Sequence, residues 1–127
     1  MDTFRLKFSI VCVALALFAV STAAKRVSPK PVAPVISGGI RYSAAGDGRN
    51  EYIVAADASS GNVLWKTKVS HNRIKFWKEE DNQWVFITNL KLTNNVLLIR
   101  DEMLRCYSVD LKTKRVKKQP CGNAFSQ

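Results

Sequence analysis

An all-β fold of small antiparallel sheets is what the sequence predicts, and three observations carry that expectation. Short runs rich in β-branched and aromatic residues recur from Gly39 to Lys117, bounded by clusters of Gly, Asp, Asn and Ser. No window places its apolar residues at the three-and-four spacing of an amphipathic helix. A strand–turn–strand unit also occurs twice, 53 residues apart.

The elements follow in chain order. Gly39 to Ala44 is a short extended run, closed by the turn cluster Gly46-Asp47-Gly48-Arg49-Asn50. Tyr52 to Asp57 is apolar and partly β-branched. Asp57-Ala58-Ser59-Ser60-Gly61 reverses the chain into Val63–Val69, which alternates towards Trp65. Trp84 to Leu92 sets Trp84, Phe86, Leu90 and Leu92 on one face. Thr93-Asn94-Asn95 suits a two-residue hairpin, because Asn tolerates positive φ. Val96 to Ile99 is a continuous apolar run, the pattern of a strand buried on both faces. Cys106 to Val109 and Arg115 to Lys117 complete the set, and His71 to Gln83, mixing aromatic and charged residues, has no assignment. The expected core holds Leu97 and Ile99, with Trp65 buried against the second sheet.

Residues 1–24 read as an export signal. Arg5 and Lys7 precede an uncharged stretch from Phe8 to Val20, and Ser21-Thr22-Ala23-Ala24 supplies small residues for cleavage. The stretch is short for a membrane span, although Lys25 and Arg26 directly after it leave an uncleaved anchor as the competing reading. Residues 25–34, with three prolines, form an expected basic tether with no fixed partner in the core, ahead of a domain at 35–121 and a tail at 122–127. The expected location is periplasmic or extracellular. Cys12 leaves with the signal, so Cys106 and Cys121 remain. An exported chain would carry them as a disulfide, whereas a chain kept in the cytoplasm would carry two free thiols.

In the repeat, Ile53 to Trp65 aligns with Cys106 to Lys118, matching Asp57 with Asp110, Ser60 with Thr113 and Val63 with Val116. The Asp carboxylate can accept from the backbone of the turn, and Gly61 supplies positive φ. Lys114 and Lys118 replace Gly61 and Trp65 in the second copy. Ala55-x-Asp57-x-x-Ser60-Gly61-x-x-x-Trp65 resembles the tryptophan-docking turn of the PQQ-type, quinoprotein-like β-propeller repeat. The resemblance implies four-stranded blades whose Trp packs on the neighbouring blade. By that likeness Phe86 to Lys118 is one full blade and Ile40 to Val69 a second, shorter one. A closed propeller takes at least about four blades, so the chain is expected to be two blade-like sheets and not a closed propeller.

Chemistry is sparse. His71 is the only histidine, no second residue completes a catalytic triad or a zinc set, and no cofactor or enzyme signature stands out. Asp47, Glu51, Asp57, Asp101 and Asp110 lie in or beside turns, and Glu79-Glu80-Asp81 reads as a solvated surface. The net charge of +10 is the stronger lead. Lys112, Lys114, Arg115, Lys117 and Lys118 crowd one hairpin, while Arg73, Lys75 and Lys78 interleave with Phe76 and Trp77. The bland account of these residues is edge protection by lysine and a Phe76-Trp77 pair in the core. The expected function is a non-enzymatic exported binding or scaffold module whose basic face meets an anionic envelope polymer or an acidic protein, with no specific nucleic-acid partner. Self-association through open strand edges is a further expectation. An accessory subunit or relic of a quinoprotein system and a secreted enzyme inhibitor are the alternatives.

Overall fold

The structure, a computed structural model, describes residues 29–125. The export signal, the start of the tether and the last two residues of the tail lie outside the described residues. Eight strands run in order: β1 (Val35–Ser37), β2 (Ile40–Gly46), β3 (Asn50–Asp57), β4 (Val63–His71), β5 (Ile87–Thr93), β6 (Val96–Asp101), β7 (Cys106–Asp110) and β8 (Val116–Gln119). They form two four-stranded antiparallel meanders, β1-β2-β3-β4 and β5-β6-β7-β8, neither closed into a barrel or propeller.

Both sheets therefore have four strands, where the sequence showed only three in the first. The missed strand, β1, is three residues long and follows a proline-rich segment. It reverses into β2 through Gly38 and Gly39, whose φ of 58° and 76° suit glycine. Asn94, at φ 55°, makes the corresponding turn between β5 and β6. The tether also differs from expectation, since Val32 packs against the core.

One hydrophobic core draws on both sheets. Tyr42, Ile53, Ala55 and Val69 come from the first, and Ile87, Leu97, Ile99, Tyr107 and Val109 from the second. The apolar run on β6 is buried on one face only: Leu97 and Ile99 are fully buried, while Val96 and Leu98 are half-exposed. A bulge between Ile87 and Asn89 shifts the phase of β5. It brings Ile87 into line with Leu90 and Leu92, while Trp84 and Phe86 precede the strand.

The register gives the sheets a head-to-tail relation. Ile40 pairs with Asp57 and Val96 with Asp110, so Ile53 and Ala55 correspond to Cys106 and Ser108. The first sheet buries its Ile53–Ala55 face, but the second buries the opposite face, carrying Tyr107 and Val109. Equivalent faces are thus not apposed; one face of the unit packs against the other face of its copy.

Buried polar groups tie the sheets at one end. Glu51, 3% exposed, accepts from the Ile87 amide at 2.9 Å and from the Gly48 amide at 3.4 Å. Burial pushes its carboxyl above the ordinary value. Asp101, 1% exposed, pairs with Arg105 at 2.8 Å, and Arg105 donates to Asn72 Oδ1 at 2.8 Å. The Asn72 amide in turn donates to the carbonyls of Gly48 at 2.9 Å and Val85 at 3.3 Å. These bonds satisfy groups that would be costly to bury unpaired.

Candidate functional site

The two aligned turns share one hydrogen-bond scheme. Asp57 Oδ1 accepts from the Ser59 hydroxyl at 2.6 Å and from the Ser59 and Ser60 amides at 2.9 Å. Asp110 Oδ1 accepts from the amides of Lys112 at 2.8 Å and Thr113 at 3.1 Å. In each turn the Ser60 or Thr113 oxygen then accepts from an amide two residues on. Gly61 donates to the Asp57 carbonyl as Lys114 does to that of Asp110, with φ of 77° and 62°. The Ser59 hydroxyl and the two amides hold the Asp57 carboxyl at about 2, and the Thr113 and Lys112 amides lower Asp110 in the same way.

Trp65 is half-buried against the core, tilted on Tyr42 at 6.1 Å, with Lys114 of the second sheet 5.7 Å above its ring. Of Ala55, Asp57, Ser60, Gly61 and Trp65, all on the β3–β4 hairpin, Ala55 and Trp65 meet the core, while Ser60 and Gly61 are exposed at the turn. A bulge shifts the alignment by one residue: Ala55 pairs with Trp65, and Ser108 pairs with Lys117. Lys117, and not Lys118, holds the place of Trp65.

Cys106 and Cys121 are joined in a disulfide. It fixes the start of a C-terminal segment whose later residues meet the outer face of the second sheet. There Lys91 Nζ donates to the Ala124 carbonyl at 3.1 Å and Arg100 lies 5.3 Å from the Phe125 ring.

The basic hairpin does not gather its charges on one face. Lys112, Lys114 and Arg115 are exposed at the turn, while Lys117 and Lys118 pair with Ser108 and Tyr107 and so alternate across β8. Arg115 and Lys117 line a groove of about 290 Å³ with Val96, Ser108, Asp110 and Thr113.

A second basic surface lies at the opposite end of β4. Trp65 and His71 are six residues apart on that strand, or roughly 20 Å at about 3.3 Å per residue. Arg49, His71, Arg73, Lys75 and Lys78 surround a cleft of about 530 Å³, with Phe76 and Glu80 also on its wall. Phe76 and Trp77 are not core residues: they are 92% and 65% exposed. They are the central pair of a turn closed by the Lys78 amide on the Lys75 carbonyl at 3.3 Å.

The side chain of Gln83 holds that turn. It accepts from the Lys75 amide at 2.6 Å and donates to the carbonyls of Lys75, Lys78 and Glu79 at 2.9, 3.3 and 3.1 Å. An Arg49–Glu80 ion pair at 2.6 Å ties the loop to the β2–β3 turn. Its far root is bound there too, by the Val85 amide on the Gly48 carbonyl at 3.1 Å. Sequence reasoning found Arg73, Lys75 and Lys78 but missed Arg49, Asn72 and Gln83. Arg49 and Asn72 act through contacts with distant segments, and Gln83 through bonds back to the start of its own loop, and no residue pattern marks any of the three.

Among the described residues no group of three or more His, Cys, Asp and Glu is placed to hold a metal ion. Glu79 accepts from Asn82 at 3.0 Å, and His71 Nδ1 shares a hydrogen bond with Asn50 at 2.7 Å. The sequence matches no protein-family model and no curated protein.

Proposed function

We propose that the protein is a non-enzymatic exported binding module that meets anionic partners through its basic surfaces. The observation that carries this reading is the cleft beside β4, where four Arg and Lys side chains gather next to an exposed aromatic pair. The disulfide supports an oxidising compartment. The edge strands β4 and β8 carry Lys66, Lys68, Lys117 and Lys118, which oppose strand pairing at those two edges and leave their side chains as the contact surface there.

The test is salt-dependent retention on immobilised heparin, a polyanion, compared with a plain sulfonate exchanger. Replacing Arg73, Lys75 and Lys78 by Gln should lower the heparin elution salt more than replacing Lys112, Arg115 and Lys117. Equal losses on both matrices would reduce the basic surfaces to net charge and defeat the reading.

The head-to-tail use of opposite faces favours a second reading, that the two sheets are blades of propeller type and the protein an accessory or relic of a quinoprotein system. Stoichiometric retention of the PQQ chromophore in the presence of calcium would support it. A colourless protein after desalting would count against it.

A further inference from the structure

We propose that the Lys75–Lys78 turn is a docking tip that seats Phe76 and Trp77 among the headgroups of an anionic lipid bilayer. The inference rests on the anionic-partner reading and names the partner. Phe76 is the most exposed large apolar side chain among the described residues, and Trp77 stands next to it in sequence. Two adjacent aromatic side chains held in water at the apex of a turn mark a contact surface. The Gln83 side chain, accepting from the Lys75 amide and donating to the carbonyls of Lys75, Lys78 and Glu79, braces the backbone that presents the pair.

The charges agree with that occupant. From Arg73 to Lys78 the segment carries three cations and no acid. Three acids follow it, Glu79, Glu80 and Asp81: Glu80 is paired with Arg49, Glu79 accepts from Asn82, and Asp81 opens the short helical turn Asp81–Gln83. Lysines on both sides of the aromatic pair would reach lipid phosphates while the rings occupy the interface, the depth that Trp in particular prefers.

Ring geometry favours a bilayer over an extended polymer. Phe76 and Trp77 meet edge to face, 5.1 Å apart and at 89°. Rings so crossed cannot both lie flat on successive sugars or bases of one strand, as stacking requires. Insertion among headgroups imposes no common plane.

The experiment sediments the full chain with vesicles of phosphatidylcholine alone or of equimolar phosphatidylcholine and phosphatidylglycerol. The apolar stretch from Phe8 to Val20 then contributes equally to every variant. Anionic vesicles should bind more tightly. F76S/W77S should weaken that binding by at least about tenfold, and each of R73Q, K75Q and K78Q by about fivefold. Lipids brominated near the headgroup should quench tryptophan emission in the wild type and much less in W77F. Binding that ignores F76S/W77S, or quenching that W77F leaves unchanged, overturns the lipid assignment. If heparin retention still depends on Arg73, Lys75 and Lys78, the anionic-partner reading survives that result; if it does not, both fall.

Discussion

Gly48 is where the β2–β3 turn, the long loop and the buried polar network meet, and replacing it with Ala tests how that junction is built. The residue is buried at φ 87°, a backbone state that costs an L side chain about 1 kcal/mol. An added Cβ would stand 2.4 Å from Trp84 Cβ and 2.7 Å from Trp84 Cγ, so the indole or the turn must move. Overpacking of this kind adds roughly 1–3 kcal/mol, for a total of about 2–4 kcal/mol. Gly61 provides the control. Its φ is 77° but nothing lies within 4 Å of an added Cβ, so Gly61→Ala should show the backbone cost alone, about 1 kcal/mol. Urea unfolding followed by circular dichroism measures both. With an m-value of about 1.5 kcal/mol per M, Gly48→Ala should lower the midpoint by about 1–3 M and Gly61→Ala by less than 1 M. Equal shifts would refute the claim that Trp84 is packed against this glycine.

Trp65→Ala should cost about 2–3 kcal/mol, below the roughly 3–5 kcal/mol of a fully buried aromatic, while Trp77→Ala stays within about 0.5 kcal/mol; urea midpoints decide both. Replacing Cys106 and Cys121 by Ser should remove about 3 kcal/mol and leave the segment after Gln119 open to proteolysis, and the native chain should weigh two hydrogens less than its reduced form. Stability should fall at both ends of the acid range, because two kinds of carboxylate shift in opposite directions. Asp57, held at about 2 against an ordinary 3.8, contributes above pH 4 and loses that contribution as pH drops towards 2. Glu51, raised above 4.5 by burial, acts in the other sense, and its contribution declines as pH rises past that value. Asp57→Ala should flatten the acid limb and Glu51→Gln the decline above it, as read from urea midpoints across that range.

Strands β2 to β8 lie within a few residues of the runs visible in the sequence, because period-two alternation and Asx turn chemistry act over neighbouring residues. The equivalence of Asp57 and Asp110 was legible for the same reason: each carboxylate bonds amides two and three residues ahead, whatever the rest of the chain does. β1 escaped notice since three residues are too few to show a period. The loop from Asn72 to Phe86 could not be read, because it has almost no regular structure of its own. Its shape comes from Glu80 and Asn72 reaching segments far away in sequence and from Gln83 bonding back across the loop to Lys75, Lys78 and Glu79.

The sequence by itself determined the all-β class, the paired Asp turns and the strongly basic character, since each follows from residue type and short-range spacing. Only the tertiary structure decided which face of each sheet is buried. Alternation supplies two candidate faces per strand, and the choice between them is made by packing against the other sheet. The same packing lifted Phe76 and Trp77 out of the core and set them beside Lys75 and Lys78 on the surface.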